Sequence, residues 1–324
     1  MYLCKTAKPN AKMEQKSLNQ NLHKARDAKQ DEFYTQLSDI DKELSYYEHH
    51  FKDKVIYCNC DDPRVSNFFY YFSYKFEVLG LKKLISACYK SLERDIFSQY
   101  DSEQAIYLEY EGDKKGNKVP DVEDIGIKYF KGDGDFRNKE SIELLKQADI
   151  VVTNPPFSLF REYVSQLIEY DKKFIIIGNV NAISYKEIFK LIKENKLWLG
   201  YNCTRHFKKP DGSMYETART FWYTNLDIAK RHEDLFLYKK YNPEDYPKYD
   251  NYDAINVDKF TDIPEDYDGV MGVPITFLDK YNPAQFEIVG CLISAANKDY
   301  YQMGTPKIKG KKTYARVLIK HKKI

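Results

Sequence analysis

Asp149-Ile150-Val151-Val152-Thr153-Asn154-Pro155-Pro156-Phe157 is a run of apolar and β-branched residues that stops at an amide, two prolines and an aromatic ring. Consecutive apolar positions mean that both faces of this strand are covered, the pattern of a parallel sheet with helices on either side. The prolines fix φ and remove two N–H donors, so carbonyl oxygens point outward with no neighbouring donor competing for them. A helix is expected to follow from about Ser158, with Phe160, Tyr163, Val164, Leu167 and Ile168 on one face. In an open α/β sheet, ligands bind outside the carboxyl ends of strands. Residues 154–157 therefore lie where chemistry is expected.

Outward from this stretch, strand and helix patterns alternate. Strands are read at 55–60, 81–89, 128–131, 149–153, 174–177, 197–201 and 220–224, with an additional one at 106–111. Helices are read at 66–76, 139–147 and 185–193, and a further amphipathic one runs through Ile40, Leu44, Tyr47 and Phe51. The fold class is α/β, a doubly wound, mostly parallel sheet with helices on both faces. Residues 1–30 lack apolar periodicity and read as a basic arm, disordered without a partner. Residues 31–226 form the catalytic domain. Residues 227–324, rich in Tyr, Asp and Pro, read as an irregular appended region.

The charge balance limits the classes of partner. Across 324 residues, 51 Lys and Arg stand against 49 Asp and Glu, so nucleic acid would be met by a local basic patch. The stretch from Lys307 to Lys323 carries eight basic residues and no acid, and Tyr314 to Ile319 inside it looks like a strand. The six cysteines are scattered, without zinc-ligand spacing, and no metal is expected. No apolar run approaches the roughly 20 residues of a membrane span. A reduced, cytoplasmic protein without a membrane segment is the expectation.

The loop after the fourth core strand suits one kind of chemistry. An exocyclic amino group on a conjugated ring is a poor nucleophile, because its lone pair is delocalised. Asn154 Oδ1 and the Pro155 carbonyl can accept its hydrogens together, and two fixed dipoles stabilise the positive charge that develops on nitrogen as a bond forms. Pro156 holds the turn, and Phe157 can stack on the base. RNA adenine, cytosine N4 and glutamine amides present similar groups, so the loop alone leaves the substrate open.

Five stretches taken together resemble one family. They are Asp31-Glu32-Phe33-Tyr34-Thr35, residues 59–67 (Asn-Cys-Asp-Asp-Pro-Arg-Val-Ser-Asn), residues 131–137 (Lys-Gly-Asp-Gly-Asp-Phe-Arg), Asn154-Pro155-Pro156-Phe157, and residues 271–278 (Met-Gly-Val-Pro-Ile-Thr-Phe-Leu). The chain resembles the EcoRI-type adenine-N6 DNA methyltransferases, which depend on S-adenosylmethionine (SAM). The likeness runs from about Leu22 onward and is weakest near 200–220 and 288–312. It implies a Rossmann-like class I methyltransferase with a seven-stranded sheet and SAM across the ends of its first strands. It also implies transfer to N6 of a flipped-out adenine in double-stranded DNA, beside a companion restriction endonuclease, at a GAATTC-like target.

By the same resemblance, Phe33, Tyr34 and Thr35 help hold the methionine end of SAM. Asp61 and Asp62 are cofactor candidates in the first loop, Asp133 or Asp135 accepts from the SAM adenine, and Phe136 packs on its ring. Two features depart from the wider methyltransferase pattern. The loop Asn59 to Pro63 has no glycine, and the second core strand ends in Ser86-Ala87-Cys88-Tyr89 rather than in an acid for the ribose. These departures leave a catalytically inactive DNA-binding protein as a rival reading. DNA contacts are expected from Arg205, His206, Lys208 and Lys209, just after the sixth strand, and from Arg316 and Lys320. Lysines supply phosphate affinity and arginines can read guanine.

Overall fold

The computed structural model describes residues 35–89, 104–113, 122–208, 214–292 and 304–322. The expected arm at 1–30 and the candidates Phe33, Tyr34 and Lys209 lie outside the described residues. Eight strands form the main sheet: β1 (Val55–Cys58), β2 (Lys83–Cys88), β3 (Ile106–Tyr110), β4 (Lys128–Tyr129), β5 (Ile150–Thr153), β6 (Lys173–Asn179), β7 (Trp198–Lys208) and β8 (Met214–Thr224). Their order across the sheet is β4-β3-β2-β1-β5-β6-β8-β7.

The four central strands β2, β1, β5 and β6 are parallel neighbours. On one side β3 runs antiparallel to both β2 and β4; on the other, β8 runs antiparallel to both β6 and β7. The expected seven-stranded sheet is therefore corrected to an eight-stranded mixed one. The extra member is β3, and its burial alternates along the strand where β1 and β5 are buried throughout. Alternation is the mark of an antiparallel strand with one packed face. Glu109 on its other face accepts from Lys83 of β2 and Lys128 of β4, tying the inserted strand to both neighbours.

Successive side chains of the central strands feed two cores, one on each face of the sheet. Ile56, Cys58, Ile150, Val152, Ile175 and Ile177 pack with α1 (Leu37–Leu44) and α2 (Asn67–Tyr74). Val55, Tyr57, Val151, Phe174 and Ile176 pack with α3 (Lys139–Gln147), α4 (Phe160–Glu169) and α5 (Lys186–Lys193). The continuous apolar run at 150–152 thus divides between the two cores, as a strand covered on both sides must.

Beyond β8, two-residue β9 (Ile255–Asn256) is followed by β10 (Met271–Pro274), β11 (Phe286–Leu292), the small hairpin β12 (Lys307–Ile308) and β13 (Lys311–Lys312), and β14 (Arg316–His321). Four of these make a second sheet in the order β11-β14-β10-β9. The expected irregular region is thus corrected: it holds an ordered sheet, disguised in sequence by the brevity of β9 and by Pro274 closing β10. Its apolar face, with Met271, Val273, Ile288, Val317 and Ile319, joins the same core as Ile188, Phe189 and Ile192 of α5. Lys193 at the end of α5 donates to the Val289 carbonyl at 2.7 Å. Among the described residues no helix is long and apolar enough to cross a membrane.

The helix after the 154–157 loop is seated by a glycine. A Cβ on Gly178 of β6 would fall 2.5 Å from Phe160 Cε2 and 2.6 Å from its Cζ. Phe160, the first residue of α4, is fully buried in this space. Gly178→Ala is expected to overpack the contact and cost about 1–3 kcal/mol, read as a lower urea midpoint. A wild-type midpoint would contradict this seating of α4.

Candidate active site

Thr153 is the last residue of β5 and is fully buried. The chain then leaves the sheet through Asn154, Pro155 and Pro156 and enters a tight turn at Phe157–Leu159 before α4. The Pro156 carbonyl closes that turn by accepting from Leu159 N at 3.0 Å. Among the described residues no donor bonds the Pro155 carbonyl. Asn154 Oδ1 is shielded from bulk solvent. The half-buried Phe157 ring meets Phe207 of β7 edge-on, with centroids 6.3 Å apart. Asn154 Oδ1 and the Pro155 carbonyl thus belong to successive residues just past the end of β5, followed closely in the chain by the Phe157 ring.

The loop after β1 lies directly alongside. Asp61 N donates to Ala87 O at 2.9 Å and its carbonyl accepts from Ser86 Oγ at 2.7 Å, binding the loop to β2. Its carboxylate accepts from Ser66 Oγ at 2.9 Å and from Thr153 Oγ1. Ser66 is the N-cap of α2 and accepts from Phe68 N and Phe69 N, so its own hydrogen is free for Asp61. No lysine or arginine among the described residues pairs with Asp61. Burial, the largest effect, pushes its pKa up to about 7. Neighbouring Asp62 differs: it accepts from Arg64 N at 2.9 Å and binds the Arg64 guanidinium, an ion pair closed within its own turn.

Two more segments reach this edge of the sheet. The Thr35 carbonyl accepts from Asn67 Nδ2 at 2.8 Å, which docks the segment ahead of α1 on the first turn of α2. Thr35 Oγ1 is buried and has no hydrogen-bond partner among the described residues. In the loop after β4, Asp133 accepts from Asp135 N at 3.0 Å and from Asn138 Nδ2. Asp135 binds Arg137, with the shortest contact at 2.7 Å, and this guanidinium holds its carboxyl below the usual range. Phe136 is buried edge-on against Tyr163 of α4 at 5.1 Å. Gly134, at φ +73°, brings the loop against the end of β2, where a Cβ would sit 2.6 Å from Ala105 Cβ. A cavity of about 480 Å³ opens beside this loop, lined in part by Phe136, Arg137, Arg161, Gln166 and Tyr170, and includes none of residues 154–157.

Arg205, His206 and Lys208 belong to β7 itself, a correction to their expected place after the strand. Their register partners are in β8, His206 opposite Glu216 and Lys208 opposite Met214. Pattern reading ended the strand near 201 because a bulge between Leu199 and Cys203 breaks its two-residue period. That bulge is filled by a carboxylate: fully buried Glu43 of α1 accepts from Tyr201 N at 2.8 Å, Asn202 N at 2.7 Å, Asn202 Nδ2 at 2.9 Å and Tyr47 OH at 2.9 Å. One turn earlier, Asp39 accepts from Thr204 Oγ1 at 2.6 Å. In the second sheet, Arg316 is buried and donates through Nε to Asn256 Oδ1 at 3.1 Å, with Asp258 at 3.5 Å. Lys320, opposite Glu287, is half-buried.

A family model described as "Adenine-specific methyltransferase EcoRI" matches residues 21–322. The chain belongs to this family. It is 53% identical over 332 residues to the Type II methyltransferase M.EcoRI of Escherichia coli, covering 96% of this chain and 99% of that protein. The Type II methyltransferases M.MgeORF184P of Mycoplasma genitalium and M.MpnI of Mycoplasma pneumoniae are 38% and 37% identical, over 94% and 93% of this chain and 99% and 98% of their own lengths. No solved structure matches the chain. The protein is thus an adenine-specific methyltransferase.

For an EcoRI-type methyltransferase, the residues that sequence reading overlooked are those holding the site in shape. Thr153 reads in sequence only as the end of a strand, and the sequence pattern assigns no role to Glu43 or Phe207. Asn59, which accepts from Tyr163 OH and so joins the first loop to α4, stood only inside a motif. A buried acid with neutral donors has no local signature, since its partners are distant in sequence.

The elevated pKa of Asp61 makes a stability prediction. The folded protein holds this proton more tightly than the unfolded chain, so the contribution is full below the ordinary value of 3.8 and lost as pH rises through about 7. Asp61→Asn cannot ionise and is expected to gain stability on wild type between about pH 5 and about pH 8, measured by chemical denaturation at both. A stability difference independent of pH would contradict the assignment.

Proposed function

We propose that the chain transfers the methyl group of SAM to N6 of a flipped-out adenine in double-stranded DNA, as the modification partner of a restriction system, with Asn154-Pro155-Pro156-Phe157 as its catalytic loop. The observation that carries this reading is the Pro155 carbonyl, bonded by no described donor, beside Asn154 at the carboxyl end of β5. These two oxygens accept the two amino hydrogens and draw the nitrogen lone pair out of the ring. As the N–C bond forms and the donor's S–CH3 bond breaks, its electron pair returning to sulfur to leave a neutral thioether, positive charge grows on nitrogen, and the same dipoles stabilise it. Loss of one amino proton to water then leaves neutral N6-methyladenine. Phe157 stacks on the extruded base, a contact worth about 1–3 kcal/mol against the cost of unstacking it.

The cofactor side fits a cationic ligand with an amino-acid end. Thr35 Oγ1 is buried without a described partner, and Asp61 is a buried carboxylate without a cation. Bound there, SAM supplies an electrophilic methyl group on a sulfonium. Phe33, Tyr34 and Thr35 would hold its methionine end, and Phe136, with Asp133 or Asp135, its adenine. Asp61 acts there through its charge, and Asp62, paired with Arg64, shapes the turn.

β7 passes Phe157 at Phe207, and this supports a DNA role for its residues Arg205, His206 and Lys208; Lys209 remains a candidate from the sequence alone. Lysine contacts there would be salt-dependent. In the second sheet Lys320 is the better candidate, because the Arg316 guanidinium is engaged by Asn256 and Asp258.

Labelled SAM offered with duplex DNA, RNA and protein tests the substrate; label in RNA or protein alone would overturn the proposal. Asn154→Ala is expected to lower transfer by about 100- to 1,000-fold, the scale for losing one fixed dipole, with SAM affinity by calorimetry unchanged. Near-normal turnover would remove Asn154 from the mechanism. Phe157→Ala should reduce the emission change of a fluorescent adenine analogue at the target, and an unchanged signal would exclude stacking.

A further inference from the structure

Thr153 stands between two functions in the fold. It ends β5, so the direction in which its backbone leaves the sheet sets where Asn154 and the Pro155 carbonyl begin. Its hydroxyl donates to Asp61, whose backbone is fastened to β2 and whose other carboxylate oxygen accepts from the N-cap of α2. The loop on the cofactor side and the loop on the base side are joined through this one side chain. We propose that Asp61 is a positioning residue for methyl transfer, holding Thr153, and through it the angle of Asn154 and Pro155 toward the target amino group. This inference rests on the methyl-transfer reading above.

The arrangement needs a carboxylate. Ser66 Oγ accepts from two backbone N–H groups, so toward Asp61 it can only donate. Thr153 Oγ1 donates to the second carboxylate oxygen. An ionised carboxyl accepts from both hydroxyls at once. A protonated one presents a hydrogen to Thr153, reverses that bond and leaves the threonine hydrogen without its acceptor.

The charged and titratable groups facing Asp61 are Asp62, paired with Arg64, Cys58 and Cys60 of β1 and its loop, and Tyr163 of α4. Burial pushes both thiols and the Tyr163 hydroxyl well above their ordinary values, so none of them ionises near neutrality. Asp61, raised to about 7, is the group here that changes charge in that range.

Rapid-quench single-turnover methylation of duplex DNA at saturating SAM tests the coupling, with SAM affinity measured by calorimetry. Thr153→Val keeps the shape and removes the hydroxyl. It is expected to slow transfer about 10- to 100-fold, the scale of a misplaced reacting group, while SAM affinity stays within about 3-fold. Thr153→Ser should restore most of the rate. Asp61→Asn should be slow as well, its double variant with Thr153→Val no slower, and the rise of the wild-type rate through about pH 7 should be lost in it. A wild-type rate in Thr153→Val, a loss confined to SAM affinity, no rescue by serine, or additive effects in the double variant would each overturn the positioning role. If Asp61→Asn fails to fold, the Val and Ser pair decides alone. A wild-type protein that methylates no DNA would defeat the underlying reading instead.

Discussion

The hydrogen bond from Thr153 to Asp61 joins the end of β5 to the loop after β1, and in our proposal the site's geometry depends on it. Four parallel strands place the ends of β1, β2 and β5 at one edge of the sheet, but parallel pairing does not orient the loops that follow them. Asp61 does so by binding β2 through its backbone and α2 and β5 through its carboxylate. A buried carboxylate without a counter-cation is costly. In the proposed reading that cost supports the geometry of the methyl-transfer site and favours a positively charged donor nearby.

A second buried acid performs the equivalent task on the far side of the loop. Glu43 satisfies the backbone donors released by the β7 bulge and so sets how the β7–β8 hairpin passes Phe157. Burial is the largest effect on its pKa and raises it, while the surrounding donors oppose that rise. The pairs Asp62 with Arg64 and Asp135 with Arg137 are of another kind. Each is closed within one turn, and the exposed Asp135 pair contributes little to stability. It shapes its own loop, and Arg137 reaches on to Glu162 of α4 at 3.0 Å.

Local pattern made the central part of this fold legible. Unbroken apolar runs mark the parallel strands, and an amide, two prolines and an aromatic after one of them mark the loop proposed to be reactive. Non-local relations were not legible. The direction of β3 follows from pairing with β2, and no feature of residues 106–110 states it. Glu43 and the bulge it fills are 158 residues apart in the chain. The second sheet was hidden because β9 has only two residues and β14 draws its partners from either side of it in space. Asp61 and Asp62 looked alike in sequence, as two acids in one loop. Burial and partners separate them, one as a joint between strands and the other as a turn.

The central claim is that this chain methylates adenine N6 in DNA through the loop after β5. Mass spectrometry of nucleosides from the DNA of cells expressing the wild-type chain or Asn154→Ala tests it most directly, in a host without adenine methylation of its own. The account predicts N6-methyldeoxyadenosine with the wild-type chain and none with the variant. Methylated cytosine in its place, or equal N6-methyldeoxyadenosine from both chains, would contradict it.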